Sequence, residues 1–198
     1  MQLKIFHDID ITDPAPPYFQ VDESRRIRFC LTVLEKNPGL LKKIFKGLEL
    51  ESHTKLDCTF ISAYESDGIE QKEKLHLGRR FAITNWKESR IWNDDLECTC
   101  VYTTITNLSA SNLYNYMIAL MRGHQRQLYI CFYNEAYLLY ESSDVLDILS
   151  SETNIRSLKS LFKVHYDKYH LEYKPSGGDE NDQSDKRNLQ QTSSNLST

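Results

Sequence analysis

No stretch of this 198-residue chain approaches the roughly 20 consecutive apolar residues of a membrane-spanning helix. Residues 1–8 (Met-Gln-Leu-Lys-Ile-Phe-His-Asp) lack the long apolar centre of a secretory signal, so an intracellular location is expected. Charge of one sign is also missing. Lys and Arg total 24 against 28 Asp and Glu, a formal net charge of −4. A field of that sign does not attract nucleic acid, so any DNA contact has to come from a local basic patch. There is no P-loop, no Gly-x-Gly-x-x-Gly turn, no nucleophile elbow and no His-Glu-x-x-His helix. The six histidines (His7, His53, His76, His124, His165 and His170) are scattered without ligand spacing. Asp94 and Asp95 form an isolated acidic pair, whereas a metal nuclease needs carboxylates converging from several elements. The expectation is therefore a chain that is not an enzyme and takes no cofactor or metal.

The five cysteines (Cys30, Cys58, Cys98, Cys100 and Cys131) are an odd number, which argues against a disulfide framework in a reducing compartment. All fall in strand-like segments, where a free thiol behaves as a small hydrophobe. Cys98 and Cys100 share one face of a strand, and core packing is expected for them rather than zinc. The triplets Asn107-Leu-Ser109 and Asn195-Leu-Ser197 read as chance glycosylation matches in a chain without a secretory signal.

What is present is an α/β pattern at ordinary composition, 40% apolar and 26% charged, with 12 tyrosines. Residues 128–133 (Leu-Tyr-Ile-Cys-Phe-Tyr) are short, β-rich and apolar on both faces, as in a strand buried inside a parallel sheet. A second strand spans about 96–105. Between them Leu113, Tyr116, Met117, Leu120 and Met121 form one helical stripe, with Ser109 as N-cap and Gly123 just past the end. Together these predict a βαβ unit.

Upstream, residues 1–24 read as irregular, broken by Pro14, Pro16 and Pro17. Residues 26–34 alternate as a half-buried strand, with Ile27, Phe29, Leu31 and Val33 inward and Arg26, Arg28 and Thr32 outward. Asn37-Pro38 starts a helix that buries Leu41, Ile44, Phe45 and Leu48. Residues 56–64 predict a strand, 65–78 a charged loop, and 81–84 a short strand, with Trp86 and Trp92 flanking a polar turn. Helices are expected over 135–141, from Ser143 or Asp144 through Val145, Leu146, Ile148 and Leu149, and again around Ile155, Leu158, Phe162 and Tyr166. The Asn-, Gln- and Ser-rich residues 175–198 are expected to be disordered.

Three basic groups stand out: Lys42, Lys43 and Lys46 on one helix; Arg79 and Arg80 with Lys87 and Arg90; and Arg122 with Arg126. Each reads either as a solvated face or as a DNA footprint.

From residue 56 onward the order of elements resembles the small, non-catalytic subunit of XPF-type structure-specific endonuclease heterodimers. The resemblance rests on the strand at 56–64, the strand at 98–105, the helix from Ser109, the buried strand at 128–132 and the segment 144–169 in the place of a helix-hairpin-helix. It has no Glu-Arg-Lys tripeptide of the catalytic partner; Gln71-Lys-Glu-Lys74 is the nearest text, in the wrong order. The chain departs from the family in having a short C-terminal segment without hairpin glycines. Length and polar tail point within that family to the meiotic crossover-promoting (ZMM) group. The resemblance covers about residues 56–170; together with the irregular N-terminus (1–24) and the polar tail (175–198) read from composition, it divides the chain into an α/β nuclease-like domain without an active site (25–142) and a helix-hairpin-helix-like segment (143–174). It implies an XPF-like partner subunit, branched DNA recombination intermediates as the ligand and a place on meiotic chromosomes in the nucleus; the basic residues Lys42, Lys43, Lys46, Arg79, Arg80, Arg122 and Arg126 are the candidates for the DNA contact, with a solvated face as the competing reading. Ile155, Leu158, Phe162 and Tyr166 are the residues such a partner would cover; packing within the chain is the competing reading. Two other readings stand beside this one: a small protein-binding inhibitor of the immunity type, and a metal-dependent hydrolase.

Overall fold

One sheet of eight strands organises the described residues: in order across it run Arg26–Cys30, Val145–Leu149, Leu138–Glu141, Ile130–Tyr133, Lys55–Ser66, Cys98–Ser109 and Trp86–Asn93, with Ile69–Lys72 attached to Lys55–Ser66. The computed structural model describes residues 3–168 apart from 14, 82, 125–128 and 143. The strands are β1 (Arg26–Cys30), β2 (Lys55–Ser66), β3 (Ile69–Lys72), β4 (Trp86–Asn93), β5 (Cys98–Ser109), β6 (Ile130–Tyr133), β7 (Leu138–Glu141) and β8 (Val145–Leu149). The helices are α1 (Leu31–Lys36), α2 (Pro38–Gly47), α3 (Ala110–Met121) and α4 (Glu152–Leu161).

Every ladder between these strands is antiparallel, which corrects the expected parallel sheet. The strand–helix–strand order is present, but β5 and β6 both lie against β2. They therefore run in the same direction with an antiparallel strand between them, a split βαβ arrangement. Strand β6 is apolar on both faces because both are covered. Ile130 and Phe132 pack with the helices, while Cys131 is buried on the opposite side.

Helix α3 forms as its sequence dictates. The Ser109 hydroxyl accepts from the Asn112 N–H, and the Asn112 side chain returns a bond to the Ser109 N–H. At the other end Gly123 has φ +68°, and the Gly123 and His124 N–H groups donate to Leu120 and Ala119 C=O, a Schellman closure. Leu113, Tyr116, Met117 and Leu120 are buried along its stripe. Helix α2 starts with Pro38 in its first turn and buries Leu41, Ile44 and Phe45, although Asn37 makes no side-chain cap bond. The four helices share one core with Ile27, Phe29, Phe60, Ile105, Phe132 and Ile148 of the sheet.

The opposite face is crossed by the N-terminal segment, which is irregular apart from 3-10 turns at Pro17–Gln20 and Glu23–Arg25 and a bridge between Lys4 and Asp10. Phe6 and Ile9 pack on Leu138 and Leu149, and Leu3 and Ile11 pack near Ile91, Cys98, Cys100 and Tyr102.

Several expected elements differ. Strand β1 stops at Cys30, and α1 takes Leu31 and Val33. Residues 65–78 contain a hairpin: Asp67 (φ +52°) and Gly68 (φ +75°) make its two-residue turn between Ser66 and Ile69. The tryptophans lie within β4 and not around a turn, and no strand forms over the described residues of 81–84. The helix expected at 135–141 is β7, entered through a turn in which the Asn134 carboxamide accepts from the Ala136 and Tyr137 N–H groups. The helix expected at 144–149 is β8. Because β7 and β8 pair with each other, the sheet runs through the boundary drawn at 142/143. A strand followed by one helix is not a helix-hairpin-helix. Residues 169–198, including the expected tail, lie outside the described residues, as do Arg126 and Ser143.

Candidate functional site

Helix α3 connects most of the basic residues singled out above. At its N-terminal end a groove of about 720 Å³ opens between α2 and α3. Phe45, Leu50, Ala110 and Tyr114 form its apolar lining, and the Phe45 and Tyr114 rings meet edge to face at 5.5 Å. Lys42 and Lys46 stand along it with Ser111, opposed by Glu49 and Glu51. The groove therefore carries both signs of charge, while Lys43 is exposed on the same helix.

At the C-terminal end of α3, about 18 Å away at 1.5 Å per residue, the Arg80 Nη2 donates to the His124 C=O at 3.0 Å. Arg122 is exposed nearby as the C-cap. Arg79 is exposed. Arg126 lies outside the described residues. Lys87 and Arg90 belong elsewhere, on β4, where Arg90 sits among Glu65, Glu70 and Glu88. The second basic cluster read from the sequence is thus split, with Arg79 and Arg80 beside α3 and Lys87 and Arg90 on the sheet edge.

The expected partner-facing residues correct in a different direction. Ile155 and Leu158 are fully buried and Phe162 is 5% exposed, all in this chain's own core. Phe162 meets Phe29 edge to face at 5.8 Å. Helix α4 lies so close to α2 that a Cβ on Gly47 would come within 3.3 Å of the Leu158 side chain. Tyr166 is partly buried against the same core. The apolar stripe read as an interface is spent inside the molecule, because β8 delivers α4 directly onto the helix layer.

The sequence also hid the burial of several charged side chains, Arg26, Arg28, Glu141 and Asp147 among them. Arg26 and Arg28, read as solvent-facing, are only 4% and 7% exposed. Tyr18 covers both, with guanidinium carbons 4.4 and 4.0 Å from its ring centre. The Arg26 Nη1 donates to the Tyr18 C=O, and Arg28 forms a bidentate pair with Asp147. Burial raises the Tyr18 hydroxyl pKa although both guanidinium groups oppose the shift. Separately, the Tyr116 hydroxyl donates to Glu141 Oε2 at 2.9 Å in the core. A strand that alternates apolar and basic residues carries no sign of such cover; Pro16-Pro17-Tyr18 beside it was the only hint.

All five cysteines are free, and four are buried. Burial, with Cys98 adding to it, pushes the Cys100 thiol up to about 11, and burial also raises Cys58 and Cys131. Thiols held protonated are poor nucleophiles. Among the described residues no three His, Cys, Asp or Glu side chains are grouped to hold a metal ion. No described helix is long and apolar enough to cross a membrane. The chain matches no family model, no curated protein and no solved structure.

Proposed function

We propose that this chain is a non-catalytic binding subunit that pairs with an XPF-like protein on branched DNA recombination intermediates, promoting meiotic crossover formation and chromosome synapsis during sporulation in the nucleus. The observation that carries the DNA part is helix α2: it holds Lys42, Lys43 and Lys46, all exposed, and no acidic residue, within a chain of net charge −4. Arg79 and Arg122, both exposed, and the half-buried Arg80 add positive charge near the other end of α3. The partner and the meiotic setting rest on the sequence resemblance alone, in which the strands at 56–64, 98–105 and 128–132 and the helix from Ser109 take part and the segment after residue 134 does not, since it folds as β7, β8 and one helix. Co-expression with an XPF-like partner, followed by light scattering and titration of four-way and linear DNA over a range of salt, tests it. A one-to-one complex that prefers branched DNA is expected. Replacing the three lysines by alanine lowers the salt slope by up to about 0.9 for each phosphate they neutralise. No complex, or an unchanged slope, sinks this reading.

A second reading has its own support. Ile155, Leu158 and Phe162 are satisfied within the chain, which suits a standalone protein-binding module that uses the apolar groove between α2 and α3. A monomer that ignores both the XPF-like protein and DNA favours it.

A further inference from the structure

The two ends of the main sheet path differ. On β1 the chain supplies its own neighbour, since the Asp167 N–H donates to the Arg28 C=O at 2.8 Å. Strand β4 pairs with β5 alone, and among the described residues no backbone bond reaches it from any other segment. Side chains alternate along a strand. Ile91 is buried beneath the N-terminal segment, so Trp86, Glu88, Arg90 and Trp92 share the other face. All four are exposed, the tryptophans by 61% and 58%.

That face reads Trp, acid, base, Trp, centred on Ser89. Laid antiparallel against β4 of a second copy about a two-fold axis at Ser89, Trp86 faces Trp92, Glu88 faces Arg90 and Ser89 faces itself. The symmetry repeats each unlike pair, giving two aromatic and two opposite-charge cross-strand pairs. Sliding by two residues, the smallest shift that keeps the faces, sets Glu88 against Glu88 or Arg90 against Arg90. Charged side chains on a sheet edge ordinarily deter pairing. Here the signs deter the neighbouring registers and favour one. Arg90 already has three carboxylates within reach: Glu70 at 2.8 Å, Glu88 at 3.3 Å and Glu65 at 3.6 Å. It keeps two of them when Glu88 turns to Arg90 of the second copy.

We propose that two copies of this chain associate through β4, forming a continuous antiparallel sheet across a two-fold axis at Ser89. Both tryptophans of the chain lie in β4, so tryptophan emission reports on this contact directly. The test is sedimentation velocity and emission of the full chain across a concentration series. A monomer–dimer equilibrium with emission shifting to the blue in step is expected. Glu88→Arg, an exposed change, weakens the dimer about tenfold or more, because both attractive pairs become repulsive. Mixing that variant with Arg90→Glu restores association, since each chain then meets its opposite. Independently, with diamide as the oxidant, Ser89→Cys forms a linked dimer much faster than Lys87→Cys, whose β5 neighbour is Thr104. A chain that stays monomeric throughout, a dimer indifferent to Glu88→Arg, or equal cross-linking at the two cysteines overturns the proposal. So does a β4 edge that is protected only when an XPF-like partner is added.

Discussion

Arg28 and Asp147 face each other across the ladder of β1 and β8, with Nε to Oδ1 at 2.6 Å and Nη2 to Oδ2 at 2.8 Å. Their side chains are 8% and 0% exposed. Burial works against the guanidinium charge, but the hydrogen bond and charge of Asp147 outweigh it and hold the Arg28 pKa above its ordinary value. The pair joins strands from opposite ends of the described chain. Asp147→Ala leaves a buried cation without its counter-charge and costs about 3–5 kcal/mol. Replacing both, as Arg28→Met with Asp147→Leu, costs less than either single change. Urea unfolding of the three variants checks this, and a double variant as unstable as the sum of the singles contradicts it.

Tyr116→Phe removes the hydroxyl that donates to Glu141 in the core. The expected loss is about 1–3 kcal/mol with the fold retained. Thermal unfolding reads it, and an unchanged midpoint means the bond carries no net stability.

Ile155→Ala and Leu158→Ala distinguish core from interface. As residues buried within the chain, each should destabilise the isolated protein by about 2–5 kcal/mol. Loss of partner binding at unchanged stability of the isolated chain would restore the interface reading instead.

Alkaline pH should loosen the fold. Burial raises the pKa of Cys58, Cys100, Cys131, Tyr102, Tyr116 and Tyr140. Each group is then more readily protonated in the folded state than in the unfolded chain, where thiols titrate near 9.0 and phenols near 10.0. Their contribution is complete below those values and drains away as pH rises through and above them. Under reducing conditions the urea midpoint should hold steady to about pH 8.5 and then fall, as the unfolding free energy drops by about 1.4 kcal/mol per pH unit for each group still protonated in the fold. A midpoint that stays level to about pH 10.5 rules this out.

Helix α3 was legible because its stripe, Ser109 and Gly123 all agree. The double-sided burial of Ile130–Tyr133 was legible too, but the direction of its neighbours was not. A βαβ pattern leaves open whether a third strand enters between its two. Strand β2 does so, from a position in the chain well before β5 begins. Val145, Leu146, Ile148 and Leu149 fit a helical stripe as well as a strand buried on both faces. The arbiter was Asp147, whose charge reads as solvent-facing unless Arg28 lies opposite it beneath Tyr18. The Asp67-Gly68 turn carried a readable hairpin signal that the surrounding charges obscured. In β4 the exposed tryptophans among charges resembled a turn, because an uncovered sheet edge lacks the apolar alternation that marks a buried one. For the candidate site, the exposure of the α2 lysines was legible. The division of Arg79 and Arg80 from Lys87 and Arg90 was not, since it depends on where the sheet edge falls.

The pairing of the first strand with the last also has a cost in time. Arg28 and Asp147 are 119 residues apart. At translation rates of about 5–20 residues per second, the ribosome takes about 6–24 s to add that length. For that interval the nascent chain carries a strand with two arginines and neither the opposing carboxylate nor the neighbouring edge that will receive it. A protein built this way finishes its sheet late, and anything that binds the waiting β1 segment during synthesis competes directly with its completion.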